Sequence, residues 1–246
     1  MENQEGAGRS NRAVTLYSVV VAKLVGRKTG LKMKIIVFGA TGGTGKLIVT
    51  QALAKGHSVT VLARNPEGLP QDPHLRVIKG DVFDFATVVD ALRGHRAVLS
   101  ALGGRTLKKE DVLSRAIPNI LEGMRQEYVT RLVVLGAAGV HKDWGKYQNA
   151  LTTMAFWIAR KTMLRHPFVD QTAQERLLTS SDVDYTIVRT PRLMDGPFTG
   201  KYRVLPDALP PGGMKINRAD VADFMLLQLT DPRFHRQGPY IAAGDD

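Results

Sequence analysis

The sequence predicts an α/β fold built on a doubly wound parallel sheet. Three observations carry that prediction. From residue 33 onward, short apolar runs alternate with stretches of helical apolar spacing. The runs are continuously apolar, as in strands covered on both faces, and do not alternate with polar residues. The first run leads directly into a glycine-rich turn in front of a helix, "KIIVFGATGGTGK" at residues 34–46.

The elements follow in order. Lys34–Phe38 reads as the first strand, and Thr44–Lys55 as a helix stopped by Gly56, a natural C-terminal residue. Ser58–Ala63 and Leu75–Lys79 read as the second and third strands, and Asp84 is placed to cap a helix over Phe85–Arg93. Ala97–Leu102 is the fourth strand, and Lys108–Gln126 a helix that Pro118 should kink. Arg131–Leu135 is the fifth strand. Residues 151–166 form an apolar helix expected to cover a pocket or a dimer face, with core packing as its default role. A helix over about Gln171–Ser180 precedes the sixth strand, Tyr185–Arg189. Asp170 and Glu175 in this region read as a cap and a surface charge. Asn217 and Asp220 have capping-box spacing at the start of a helix that runs through Leu229, and Pro239–Ala243 forms the last strand. Asp195–Gly213, rich in Gly and Pro, reads as an irregular or hairpin-like C-terminal substrate region beyond a strand's carboxyl end.

These elements predict a single α/β domain over residues 33–246, preceded by an extension over 1–32. The first dozen residues are polar and Gly/Ser/Asn-rich, the composition of a flexible segment. The extension reads either as an added leader of little consequence or as an amphipathic arm for a partner or a membrane surface.

Composition narrows the classes of function. The chain has 246 residues, enough for one such domain, with 43% hydrophobic and 23% charged residues. It contains no cysteine, which excludes disulfides, thiolate nucleophiles and Cys-type zinc sites and fits a reducing, cytoplasmic location. Net charge is +11, but outside residues 1–34 the surplus is scattered without a long basic run, which argues against nucleic acid. No stretch reaches the ~18 apolar residues of a membrane span. No His or carboxylate cluster has metal-ligand spacing, so no metal is expected.

The glycine loop resembles a phosphate-binding turn of either of two kinds. An NTP-binding P-loop needs G-x-x-x-x-G-K-[ST]. Here Ala40 stands in place of the first glycine and Leu47 in place of the hydroxyl residue, so that reading fails twice. The spacing Gly39-x-x-Gly42-x-x-Gly45 instead suits a dinucleotide. Gly39 makes the turn, Gly42 and Gly43 admit the pyrophosphate, and Gly45 lets the helix pack on the strand. Thr41 and Thr44 offer hydroxyls, and the helix N-terminus offers free N–H groups. Lys46 is then a solvated helix residue. An NAD site places an acid at the end of the second strand for the ribose 2′-hydroxyl. This strand ends "VTVLARNP", so Arg64 holds the place, and a guanidinium grips a 2′-phosphate that a carboxylate would repel. The expected cofactor is therefore NADP(H). Asp81 and Val82, after the third strand, are placed to meet the adenine. Ala101, Leu102 and Gly103, after the fourth, are placed beside the nicotinamide-side ribose.

The motifs "GATGGTG", "VTVLARNP", "GDV", "ALGG" and "TIVRTPRLMDGPFTGKY" resemble those of atypical short-chain dehydrogenase/reductases. The resemblance is to the biliverdin reductase B/flavin reductase group, with NmrA-like proteins nearby, and runs from Met33 to near the C-terminus. It implies a Rossmann sheet and hydride transfer from NADPH to flavins or linear tetrapyrroles. Two positions depart from that group: Ala138 where it often has Ser, and Arg192 where it often has His. The Ser and Tyr-x-x-x-Lys set of the wider family is also missing, because Tyr147 is followed four residues later by Leu151.

An acceptor pocket is expected from the loops after the fifth and sixth strands: Ala138, Val140 and Trp144, then Pro191, Arg192 and Phe198. Trp144 and Phe198 could stack on a flat acceptor or serve as packing anchors, and Arg192 could bind its acidic group or form a structural ion pair. His141 reads as a surface residue. The expected function is an NADPH-dependent reductase of a planar acceptor such as flavin, quinone or a related pigment, with the catalytic residues left unnamed. The alternatives are a non-catalytic NADP(H)-binding regulator or assembly factor, and a sugar-nucleotide epimerase or dehydratase. Both monomer and dimer remain open.

Overall fold

A computed structural model describes residues 31–104 and 106–244, so the expectations for residues 1–30 lie outside the described residues. Among the described residues, ten strands and six helices follow in order. They are β1 Lys34–Phe38, α1 Gly43–Ala54, β2 Ser58–Ala63, β3 Leu75–Lys79, α2 Phe85–Leu92, β4 Ala97–Ser100, α3 Val112–Gln126 and β5 Arg131–Ala137. Two short 3₁₀ turns, Ala138–Val140 and Lys142–Gly145, lead to α4 Ala150–Lys161 and α5 Arg165–Thr179. The chain continues with β6 Asp184–Thr190, β7 Arg192–Met194, β8 Tyr202–Leu205, β9 Lys215–Asn217, α6 Arg218–Leu227 and β10 Tyr240–Ala243.

The main sheet has the order β3-β2-β1-β4-β5-β6-β10-β8. Every pairing in it is parallel except that of β10 with β8, which closes one edge antiparallel. The order runs outward from β1 through β2 and β3 and then reverses through β4, β5 and β6. This is the Rossmann-type doubly wound arrangement, and its switch point lies between β1 and β4. Alternate residues of each strand serve opposite faces. Ile35 and Val37 join Ile48, Val221 and Phe224 on the face covered by α1 and α6. Ile36 and Phe38 join Val88, Ile120 and Leu178 on the face covered by α2, α3 and α5. Each fully buried side chain of this size contributes roughly 1.5–3 kcal/mol of transfer free energy.

The structure corrects several local expectations. The helix expected from Lys108 starts at Val112 and continues through Pro118, whose ring is exposed. The helix before β6 starts at Arg165, six residues earlier than its spacing showed, and holds Pro167 in its first turn. Proline is tolerated there because first-turn N–H groups have no intrahelical acceptor. Asn217 and Asp220 form no capping box. The Asn217 side chain makes no cap hydrogen bond; its Nδ2 donates instead to the Pro197 carbonyl at 3.1 Å. Asp220 accepts from the N–H groups of Thr199 and Gly200 and from the Thr199 hydroxyl at 2.8–2.9 Å. Both side chains thus tie the 195–201 loop to α6. That region is not a hairpin either: β7 pairs in parallel with β9, and β8 joins the sheet edge. Glu175 is buried, forming a bidentate pair with Arg189 at 2.9 and 3.0 Å. Asp170 caps a helix other than its own, accepting from the N–H groups of Leu113 and Ser114 at the start of α3.

Candidate functional site

The switch point opens into a cleft of about 660 Å³. Its floor is the turn from β1 into α1. Gly39 has φ +75°, and a Cβ there would lie 2.6 Å from the Ala101 carbonyl carbon and oxygen. The β1 turn and the end of β4 approach so closely only because that position is glycine. The Gly42 N–H donates to Gly39 O at 3.1 Å, and the first α1 bond runs from Lys46 N–H to Gly42 O at 2.9 Å. The N–H groups of Gly43, Thr44 and Gly45 therefore have no intrahelical acceptor. No side chain caps this end of α1, and no acidic residue lies in its first turn. An open helix N-terminus with three free donors suits an anionic diphosphate, so the turn fits the group that its spacing predicts.

The residues expected at the cofactor converge on this cleft, with one exception. Gly39, Thr41, Gly42, Gly43 and Thr44 line it from the turn. Arg64 lines it beyond β2, Asp81 and Val82 beyond β3, and Ala101, Leu102 and Gly103 beyond β4. Gly45 lies beneath the turn and does not form part of the wall. A Cβ at Gly45 would approach Gly39 O to 2.1 Å, so its role is helix-to-turn packing. Arg64 is exposed and makes no ion pair among the described residues. One Asp81 oxygen is engaged in its own turn, accepting the Phe83 N–H at 3.0 Å. Lys46 is exposed and does not line the cleft.

The structure adds cleft residues that the sequence did not reveal. Arg218, the first residue of α6, places its Cδ and Nε 3.0 Å from where a Gly43 Cβ would stand. Its guanidinium therefore lies over the open end of α1. The same side chain pairs with Asp195 at 2.5 Å, and that carboxylate is 88% exposed. Glu110, Val112, Leu135 and Gln171 form the opposite end of the cleft. No local signal marks any of these residues, because each reaches the site through the folding of a distant segment.

The expected acceptor residues do not gather at the cleft. Ala138 and Trp144 are buried in a small cluster with Leu209, Tyr240 and Ala242. The Trp144 ring packs on Phe156 with centroids 4.3 Å apart, so it is a packing anchor with no free stacking face toward the cleft. Val140 is half-buried at the end of a 3₁₀ turn. Pro191 is half-buried, while Arg192 is exposed on β7, opposite Lys215. Phe198 is 50% exposed. His141 is exposed near Asp143. Tyr147 donates its hydroxyl to Asp207 at 3.0 Å.

Comparison with known proteins agrees with this geometry. A family model described as NAD(P)H-binding matches residues 39–232. An uncharacterised chloroplastic protein of Arabidopsis thaliana is 29% identical over 209 residues, covering 79% of this chain and 72% of that one. Among solved structures, a short-chain dehydrogenase/reductase of Veillonella parvula in complex with NADP superposes with a TM-score of 0.71 at 17% identity, covering 87% and 95% of the two chains. ChuY, an anaerobillin reductase of Escherichia coli O157:H7, superposes with a TM-score of 0.68 at 23% identity, covering 87% and 98%. The two structural likenesses show a shared fold. The family-model match over most of the chain shows more: this protein belongs to the NAD(P)H-binding family.

Proposed function

We propose that this protein is an NADPH-dependent reductase of a planar acceptor: a flavin, a quinone or a related pigment. The observation that carries this reading is the cleft itself. At one end Arg64 occupies the place where an NAD site has its ribose-binding acid, and at the other the wall is formed by Leu135, Val112, Glu110 and Gln171. When bound, the cofactor supplies the hydride. The protein's residues do the remaining work. The α1 N-terminus and Arg218 neutralise the diphosphate, Arg64 holds the 2′-phosphate, and Leu102 and Leu135 give the nicotinamide end an apolar wall. No Tyr, Lys or His is among the described residues lining the cleft. That supports an acceptor reduced by direct transfer, with its proton taken from water at the open mouth, over carbonyl chemistry that needs a positioned tyrosine. The NADP complex of the Veillonella protein and the anaerobillin activity named for ChuY are consistent with this reading.

Two measurements test it. Arg64→Ala should weaken NADPH binding by ten- to a hundred-fold, about 1.4–2.7 kcal/mol, and leave NADH affinity nearly unchanged. An unchanged NADPH-to-NADH preference would remove Arg64 from this role. NADPH oxidation should then be followed with flavins, quinones and linear tetrapyrroles. Tight NADPH binding without turnover on any of them would favour the second reading, a non-catalytic NADP(H)-binding regulator. Burial of Trp144, one of the two aromatics expected to meet an acceptor, is the observation on that side.

A further inference from the structure

A second surface is lined by residues other than those of the cofactor cleft. We propose that α4, with the basic groove beside it, docks the protein onto an anionic lipid bilayer. Among the helices, α4 is unusual in burying no residue. Leu151, Met154, Trp157 and Ile158 are 71%, 56%, 54% and 51% exposed. Helical geometry puts these four on one side of α4, away from Phe156. Phe156 faces inward, with its ring against Trp144 and Phe168 at 4.3 and 5.7 Å. The helix is thus anchored by its inner face while its apolar outer face meets solvent. Met163 and Val169, in the segment that follows, are exposed as well. Four large apolar side chains exposed on one helix face mark a contact surface.

Charge identifies the partner. From Trp144 to Val169 the chain carries Lys146, Arg160, Lys161, Arg165 and His166, and no Asp or Glu. Lys146 is neutralised by Asp207 at 2.8 Å. Arg160, Lys161 and Arg165 make no ion pair among the described residues. The neighbouring carboxylates point inward: Asp170 caps α3, and Glu175 holds Arg189. Between α4 and α5 lies a groove of about 700 Å³, bordered by Arg160, Lys161, Arg165 and Arg176 over a floor that includes Phe168 and Leu177. Cations around an apolar floor match a phosphate headgroup and the start of its acyl chains. The Lys161 Nζ stands 3.9 Å from the Trp157 ring centre, so an indole and an ammonium share one edge, as at a membrane interface. A second copy of the chain is a poorer occupant, because this face carries no carboxylate to receive the cations of a two-fold mate. No helix among the described residues is long and apolar enough to cross a membrane, so the contact is interfacial.

The test uses the full chain and reads binding, not turnover, so its failure is distinct from failure of the reductase reading. The protein is sedimented with vesicles of phosphatidylcholine alone or mixed with phosphatidylglycerol. Binding should require the anionic lipid and weaken with salt. Met154→Ser with Trp157→Ser should reduce the bound fraction at least tenfold, as should the set Arg160→Gln, Lys161→Gln and Arg165→Gln. NADPH binding and thermal unfolding serve as controls of the fold. If the apolar pair misfolds, the charge set decides. The proposal is overturned if the wild type ignores anionic vesicles, or if the charge set binds them equally, which would move the contact to residues 1–30 or elsewhere. A solution dimer that shields Trp157 from a soluble quencher would overturn it as well.

Discussion

At the scale of single residues, the cofactor turn is governed by atoms that are absent. Gly45 has no side chain to contribute, yet a Cβ there would lie 2.1 Å from Gly39 O, a contact that only movement of backbone can relieve. Gly45→Ala should therefore part α1 from the β1 turn, lowering stability by about 1–3 kcal/mol and abolishing NADPH binding; calorimetry and cofactor titration would show both. Gly42 offers a contrast, since a Cβ there meets only Gly39 O at 3.4 Å, an ordinary contact. Gly42→Ala should fold normally and lose affinity through crowding at the diphosphate. Arg218 acts by presence. Its guanidinium, shared between the α1 N-terminus and the exposed Asp195, can be drawn onto a bound diphosphate. Arg218→Ala should weaken NADPH and NADH alike, by about 1–2 kcal/mol, while Arg64→Ala discriminates between them. If Arg218→Ala also changed the preference, the two arginines would share one phosphate. The glycine spacing could be read along the chain because the pattern itself spans seven residues, even though Gly39 also answers to distant Ala101. Arg218 could not, since it arrives 175 residues beyond Gly43.

At the scale of elements, local chemistry was legible and cross-element chemistry was not. Ser58–Ala63 and Leu75–Lys79 stand where their apolar runs predict, and the Asp84 carboxylate accepts the Ala86 N–H at the start of α2. Gly56, with φ +80°, follows the end of α1 as its position implies. Asn217 and Asp220 show the limit. Their capping-box spacing is present, but the 195–201 loop offers partners that no sequence window contains. Glu175 and Arg189 show it again. Neither has a neighbour in sequence that reveals a buried pair, yet together they join α5 to β6. Glu175→Gln should cost about 3–5 kcal/mol, because Arg189 would keep its charge in a buried place without a counter-ion. Glu175→Leu combined with Arg189→Met should recover much of that loss. Denaturant unfolding of the three variants checks the argument, and a double variant no better than Glu175→Gln would show that the pair's value lies in its hydrogen bonds.

At the scale of the whole molecule, the sequence revealed the sheet and the cofactor edge because each strand carries its own apolar record. It did not reveal the far end of the cleft. There the wall depends on how Glu110, Val112, Leu135 and Gln171 converge, while Trp144 turns inward against Phe156. The molecule's response to acid is likewise a property of assembly. His57 is buried near Lys55, and its Nδ1 accepts the Met33 N–H at 3.2 Å. His95 is buried between α2 and β2; its Nδ1 lies 3.1 Å from the Leu92 carbonyl, which needs a donor, leaving Nε2 to accept from the Thr60 hydroxyl at 2.8 Å. Burial, with Lys55 acting on His57 and with Lys34 and Arg76 on His95, holds both imidazoles below their ordinary value. Between each lowered value and the unfolded value near about 6.5, the unfolded chain binds more protons than the folded one. Stability is thus fully present above about pH 6.5 and declines as pH falls through that window, before most carboxylates titrate. The unfolding midpoint should drop between about pH 7.5 and about pH 5.5. His95→Gln, which keeps a donor and an acceptor but cannot charge, should be less stable at neutral pH and show a shallower drop. An equally steep drop in that variant would place the acid sensitivity in His57 or in groups outside these two.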